Sequence, residues 1–250
     1  MQSIILAAGM GNRISSSHSE PKILLKVGQH TLLERHLSNL RALGVIKIVI
    51  CLGYKQELVI EEIRKLGMPE IEVVSNMDFQ LGSTVSLWKA SASAKKNCET
   101  LLLDADVLYH PEIIRRLAKA KSNNCLLIDR NFDVGDEPVK VCIKDGRIIE
   151  FRKMISPNID YDTIGESVGF FKFSANDSDL LFDECRKSLA SGRVEDPHEE
   201  VIRECILHNK FEIGFEDISG LPWIEIDFPE DIEKAEQDIL PLTPFVEFTQ

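Results

Sequence analysis

Gly9, Gly11, Arg13 and Lys22 stand close together near the start of the chain, directly after the apolar run Ser3-Ile4-Ile5-Leu6-Ala7-Ala8. Glycine lets a backbone approach a phosphate chain closely. It also reaches φ values closed to other residues, so amide N–H groups can turn inward around an anion. Arg13 and Lys22 add positive charge beside such a cradle. The spacing predicts a triphosphate site at the carboxyl end of a first strand. It is not the dinucleotide pattern G-x-G-x-x-G, because position 14 is Ile, nor a P-loop, because no G-K-[ST] follows. Two glycines alone would serve a plain strand-to-helix turn equally well. Arg13 and the Pro21-Lys22 pair tip the balance toward phosphate.

Two acidic features could complement this basic one. Asp104-Ala105-Asp106 ends the apolar run Thr100-Leu101-Leu102-Leu103. Acids at the carboxyl end of a buried parallel strand lie where α/β folds place their sites. One of the pair is expected to be a ligand and the other its support, although an Asp there can also cap a turn. Asp227 follows the strand-like Trp223-Ile224-Glu225-Ile226 and precedes a helix start at Pro229. Taken alone, it fits a helix cap as well as a ligand.

The elements that must position these residues follow from periodicity. Thr31 with Glu34 forms a capping box, Leu32, Leu33, Leu37, Leu40 and Leu43 line one helical face, and Gly44 ends the helix. Val45 to Leu52 is nearly continuous in apolar residues, as a strand covered on both sides would be. A helix over Gln56 to Leu66 and a strand over Ile71 to Val74 follow. The alternation predicts parallel pairing with right-handed crossovers. Further on come a helix from Val85 to about Ala94, a fourth strand (99–103), a helix from Pro111 to about Lys121 and a fifth strand (125–129). From about residue 130 the pattern turns antiparallel. Asp145-Gly146 marks a hairpin between strands at 139–143 and 147–151, and a strand follows at 167–173. Helices are expected at 178–188 and 197–208, short strands at 211–215 and 223–226, and a last amphipathic helix from Pro229. The β-rich middle reads as an insertion over the open face of the sheet.

Composition narrows the function classes. The 250 residues are 44% apolar and 28% charged, ordinary for a folded globular protein. The net charge is −12. Such a chain repels nucleic acid and anionic membrane surfaces at long range, so neither is expected as a partner. No apolar run approaches the ~18 residues of a membrane span, and no secretory signal pattern is recognisable. Six cysteines without a C-x-x-C pair read as buried reduced thiols of a cytoplasmic protein. The six histidines show no ligand spacing and read as surface or locally hydrogen-bonded residues.

The opening L-A-A-G-x-G-x-R followed by P-K resembles the nucleotidyltransferases that activate sugar phosphates and phosphorylated alcohols. The D-x-D at the fourth strand and the E-I-D-x-x-x-D segment near residue 227 strengthen the likeness. Segments 103–106, 166–170 and 223–227 bring it nearest to cytidylyltransferases for phosphocholine, 2-aminoethylphosphonate and inositol phosphate. The resemblance implies a Rossmann-like three-layer α/β fold, with a mostly parallel sheet, helices on both faces and a β-rich acceptor-side insertion. It implies one domain over 1–250: a nucleotide-binding half at 1–130, an acceptor-binding insertion at 131–220, and a metal-binding strand and final helix at 221–240. A homodimer is compatible with it.

By the same resemblance, Leu6, Ala7, Ala8, Gly9 and Gly11 contact the nucleotide, Gly82 and Ser83 meet the base, and Arg13 and Lys22 neutralise the departing pyrophosphate. Asp106 and Asp227 hold Mg²⁺ with Asp104 beside the nucleotide. The implied substrates are CTP and a small phosphorylated or phosphonate acceptor. Lys153 falls where the acceptor phosphate would bind, with Lys140 as its competitor. An amine-bearing acceptor needs carboxylates or aromatic faces. Tyr161, Glu166 and Glu195 could supply them, or could be ordinary solvated groups. The nearest alternative is a sugar-1-phosphate nucleotidyltransferase using UTP, GTP or dTTP. A nucleotide-binding regulatory subunit is another, and the full set of Arg13, Lys22, Asp106 and Asp227 argues against it.

Overall fold

Alternation along the first strand sets two faces. In β1 (Gln2–Ala7), Ile5 joins one apolar cluster, while Ile4 and Leu6 join another. Such alternation is what a strand covered on both sides by helices requires. The computed structural model describes residues 1–11, 13, 20–68, 70–133 and 135–247. His18 and Pro69 lie outside them.

After a short hairpin, β2 (Lys26–Val27) and β3 (His30–Thr31), comes α1 (Leu32–Ala42), whose Thr31–Glu34 capping box forms as its residue types dictate. Leu33, Leu37 and Leu40 of α1 are fully buried against the sheet. Each such side chain contributes about 1.5–3 kcal/mol through apolar burial. Then follow β4 (Lys47–Leu52), α2 (Gln56–Lys65), β5 (Glu72–Ser75), α3 (Ser83–Ser91) and β6 (Thr100–Asp104). A three-residue strand, β7 (Val107–Tyr109), leads to α4 (Pro111–Lys119) and β8 (Cys125–Asp129). The hairpin β9 (Lys140–Lys144) and β10 (Arg147–Arg152) turns through Asp145 and Gly146, both at positive φ. Next are β11 (Thr163–Phe173), α5 (Ala175–Ala190), α6 (His198–Leu207), β12 (Gly214–Asp217), β13 (Trp223–Glu225) and α7 (Pro229–Lys234).

Among the described residues, nine strands share one sheet, ordered β10-β9-β11-β6-β1-β4-β5, with β8 paired to β11 and β12 to β8. Only β10 and β11 run against the others. Helices α1, α2 and α4 pack on one face, and α3, α5 and α6 on the other. This is the expected α/β architecture with a mixed, mostly parallel central sheet.

Three details differ from the sequence reading. The β-rich middle does not lie over the open face: β9–β11 continue the sheet itself, because the long β11 inserts antiparallel beside β6 and also pairs with β8 and β9. The strand expected at 211–215 starts at Gly214, and Phe211 is instead a buried anchor before it. Strand β7 has no counterpart in the sequence pattern; it pairs antiparallel with β13 in a separate two-stranded sheet. Leu25, Val27, Leu32, Leu108, Ile226 and Ala235 form a small core beneath that pair. Five of the six cysteines are buried, and all six are free. No helix among the described residues is long and apolar enough to cross a membrane.

Candidate active site

The basic half of the site grows from the end of β1. Gly11 takes φ +60°, a value that favours glycine. Lys22 opens a 3-10 turn after Pro21, and the following Ile23 and Leu24 are buried, which pins the lysine backbone. A small cavity of about 100 Å³ is lined by Leu6, Ala7, Gly9, Gly11, Lys22 and Asp106, among others.

The acidic half arrives from two places. Strand β6 stops at Asp104, and the chain bends through Ala105 and Asp106. A continuing strand would point both carboxylates to one side. After the bend they meet different partners. Asp227 comes in through the β7–β13 pair, where Glu225 is in register with Val107 and the Ile226 N–H donates to the Asp106 carbonyl at 2.9 Å. Helix capping near Asp227 falls to Asp231, which accepts the N–H groups of Asp227 and Phe228 at 2.9 and 2.7 Å. The Asp227 carboxylate is thereby left for the site.

Lys22 joins the two halves. Its Nζ lies 2.9 Å from Asp106 Oδ2 and 2.5 Å from Asp227 Oδ1. Arg13 lies 3.0 Å from Asp227 and 3.0 Å from Glu137, with its guanidinium 5.1 Å from the centre of the Phe228 ring. Burial alone would lower the Lys22 pKa, but Asp106 and Asp227 outweigh it and hold the ammonium above its ordinary value. Burial would raise Asp227, and Lys22 followed by Arg13 hold it below the usual carboxylate range. Glu225 is pushed up to about 8, first by burial of its carboxyl and then by Asp106 and Asp227, although the residue as a whole stays exposed. Sequence reasoning missed Glu225. Its signal was the i, i+2 spacing to Asp227, which puts both on one face of a strand.

Asp106, Glu225 and Asp227 each offer a carboxylate oxygen, all within 4.8 Å of one another. Three such oxygens suit a hard divalent cation. The Lys22 ammonium between two of them expresses the same demand for positive charge.

Asp104 turns elsewhere. Burial, then Glu199, Asp106 and Glu225, push its carboxyl well above the ordinary range. Gly169, at φ +75°, leaves room for it: a Cβ there would fall 2.2 Å from Asp104 Oδ2. Gly82 and Ser83 are locked to the segment before α6. The Gly82 N–H donates to the Val194 carbonyl at 2.9 Å, and a Cβ on Gly82 would lie 2.2 Å from the Asp196 carbonyl oxygen. Ser83 Oγ is 3.0 Å from His198 Nδ1. The histidines therefore depart from expectation: His36 and His198 are buried, and His198 faces two acids. Spacing hid this, because the acids come from another strand and from the next position in α6.

Of the expected acceptor residues, Glu166 lines a cavity of about 310 Å³ together with Asp129, Asp133, Glu137, Trp223 and Asp227. Lys153 reaches its rim, 3.2 Å from Glu137. Lys140 spends its ammonium on the carbonyls of Gly135, Pro138 and Lys153, and with Tyr161 lines a different cavity. Glu195 abuts Gly82 through its backbone. Tyr161 and Glu195 are thus not brought to the Lys22 cluster.

A glycine-lined cavity, a lysine shared by two acids and a three-carboxylate cluster thus stand together at the strand ends. The profile of the MobA-like NTP transferase domain matches residues 3–154, and the chain belongs to that family. It is 29% identical over 239 residues to a bifunctional IPC transferase and DIPP synthase of Rubrobacter xylanophilus, covering 94% of this chain and 51% of that protein. The chain thus spans about half the length of that relative. Among solved structures, the inositol-1-phosphate CTP transferase from T. maritima superposes with a TM-score of 0.76 at 21% identity, covering 95% of this chain and 97% of that one. The CTP:phosphocholine cytidylyltransferase from Streptococcus pneumoniae gives 0.72 at 21% identity, covering 94% and 97%. These likenesses support the fold.

Proposed function

We propose that the protein transfers CMP from CTP to a small phosphorylated or phosphonate alcohol or amine with a cationic end, with 2-aminoethylphosphonate or phosphocholine the best candidates. The observation that carries the transfer is Lys22 bridging Asp106 and Asp227 beside the glycine-lined cavity. CTP is favoured by the cytidylyltransferase relatives. The amine is favoured by the adjoining cavity. Asp129, Asp133, Glu137 and Glu166 line it, so an anionic acceptor enters well only if its far end is cationic.

In this reading an oxygen of the acceptor phosphate or phosphonate attacks the α-phosphorus of CTP. The new P–O bond forms as the bond to the β-phosphate bridge oxygen breaks, and pyrophosphate leaves. The nucleophile is already an anion and needs no general base. Catalysis then consists of positioning and of offsetting charge. Gly9 and Gly11 let the backbone approach the phosphates. Lys22 and Arg13 stabilise the charge that grows on pyrophosphate, and Lys153 at the cavity rim meets the acceptor anion. Asp106 and Asp227, with Glu225, would hold Mg²⁺, which supplies further positive charge to the nucleotide phosphates when bound.

A pyrophosphate-release screen tests this reading. CTP, UTP, GTP and dTTP are each paired with 2-aminoethylphosphonate, phosphocholine, inositol phosphate and sugar 1-phosphates. Turnover is expected with CTP and the amine-bearing acceptors, with kcat/KM at least about tenfold above inositol phosphate, the loss expected when one buried charged contact goes unmade. Preference for a sugar 1-phosphate with another nucleotide would replace the reading. Nucleotide binding without turnover of any acceptor would point to a regulatory subunit.

A further inference from the structure

The far side of the Asp104–Asp106 bend holds a second cluster. Asp104, His198 and Glu199 each offer one ligand atom, and these atoms lie within 4.8 Å of one another. The His198 side chain is only 2% exposed, and its Nε2 faces Asp104 Oδ1 across 4.0 Å. Among the described residues, His198 Nε2 has no hydrogen-bond partner, and Glu199 Oε2 has none beyond the His198 Nδ1 3.1 Å away. A buried polar atom without a partner costs about 1–3 kcal/mol, so its persistence calls for an explanation. A gap of 4.0 Å is too long for a direct hydrogen bond. Two ligand atoms each about 2.0–2.2 Å from one tetrahedral ion lie roughly 3.3–3.6 Å apart, so the pair would have to close by about half an ångström around an ion.

The imidazole is held for such a role. His198 is the first residue of α6, and its backbone N–H donates to Ser83 Oγ at 2.9 Å. Its Nδ1 lies 3.0 Å from the same hydroxyl and 3.1 Å from Glu199 Oε2. With the proton on Nδ1, the Nε2 lone pair faces Asp104. A hydroxyl or carboxylate on the opposite ring nitrogen is how metal-binding histidines are commonly oriented. The ring also packs edge-on to Phe171, with centroids 5.9 Å apart, which keeps it from swinging away.

We propose that Asp104, His198 and Glu199 form a second divalent-cation site, one that takes a transition ion such as Zn²⁺ in preference to Mg²⁺. The imidazole nitrogen makes the difference: mixed nitrogen and oxygen donors suit Zn²⁺, Co²⁺ or Mn²⁺, whereas the all-oxygen set of Asp106, Glu225 and Asp227 suits Mg²⁺. Two ions of different character would then flank one bend. This assignment does not depend on which acceptor the protein uses.

The test is metal binding without nucleotide. The Asp106→Asn/Asp227→Asn protein is stripped with a chelator, dialysed against Zn²⁺ in a roughly thousandfold excess of Mg²⁺, a competitor weak at nitrogen donors, and its metal content is measured by atomic emission. One Zn²⁺ per chain is expected to remain. Adding His198→Gln, or separately Glu199→Gln, should weaken Zn²⁺ binding at least about tenfold, the lower end of what even outer partners of a metal contribute. Circular dichroism verifies folding. Should His198→Gln fail to fold, the less buried Glu199→Gln carries the measurement. Co²⁺ in place of Zn²⁺ adds a visible absorption band that must vanish in the same variants. No bound Zn²⁺ in the Asp106→Asn/Asp227→Asn protein, or binding unchanged by the added substitutions, would overturn the assignment.

Discussion

Asp106 and Asp104 stand two positions apart at the end of β6, and the fold treats them differently. Asp106 meets a cation, the Lys22 ammonium at 2.9 Å, and shares it with Asp227. Asp104 meets a buried histidine, a glutamate and a glycine that clears space for it. The first arrangement offsets charge with charge in a half-open cleft. The second burns stability to hold acids together under cover, a cost that burial imposes on any carboxylate lacking a partner. Residue type is the same for both, and only two positions separate them. What differs is the company supplied from elsewhere: a 3-10 turn on one side, the first turn of α6 on the other.

The largest effect that would sharpen this contrast is on the Lys22 side. Lys22→Ala is expected to lower kcat/KM for pyrophosphate release by about 10²–10³, the usual loss when one charge-stabilising donor is removed. Thermal stability should fall as well, because Asp106 and Asp227 lose the ammonium between them, and circular dichroism checks that the variant is still folded. Near-full activity in steady-state assays would remove Lys22 from the reaction. Next is metal dependence. Asp227→Asn should raise the Mg²⁺ concentration for half-maximal rate by about tenfold or more, whereas Asp104→Asn should move it far less. Equal shifts in a Mg²⁺ titration would dissolve the distinction between the two sides.

A third lever acts on the Asp104 side alone. Gly169→Ala puts a methyl group 2.2 Å from Asp104 Oδ2 at a φ of +75°, and should cost about 1–3 kcal/mol in urea unfolding. The smallest effect lies in the acidic cavity. Burial, then Asp129, push Glu166 up to about 7 from 4.5. A raised folded pKa means that its contribution is intact below pH 4.5 and is lost as pH rises through 7. Glu166→Gln should flatten the fall in melting temperature between pH 5 and 8 by a few degrees, with the variant the more stable at the upper end.

Much of this was legible in the residues, and the limits have physical causes. The capping box at Thr31 and Glu34, the Asp145-Gly146 hairpin and the glycine cradle are local, so nearby residues carry the whole signal. Asp106 and Asp227 were readable as acids at strand ends, but the lysine bridge between them is a contact that only the fold reveals. Strand β7 was not readable. Three residues give no period, and its pairing is justified only by β13, far away in the chain. The placement of β11 beside β6 was hidden for the same reason: an antiparallel strand inside a parallel sheet is decided by tertiary packing. His198 looked unremarkable because its partners are Ser83 and Asp104, each more than 90 positions earlier.

The two-stranded β7–β13 pair has a consequence in time. It carries Asp227 to a lysine 205 positions earlier in the chain. Until β13 docks, a growing or refolding chain holds Lys22 and Asp106 but lacks Asp227. Closing so long a loop is slow and entropically costly. The cluster is therefore assembled late, complete only once the chain has been made past Asp227 and β13 has docked on β7.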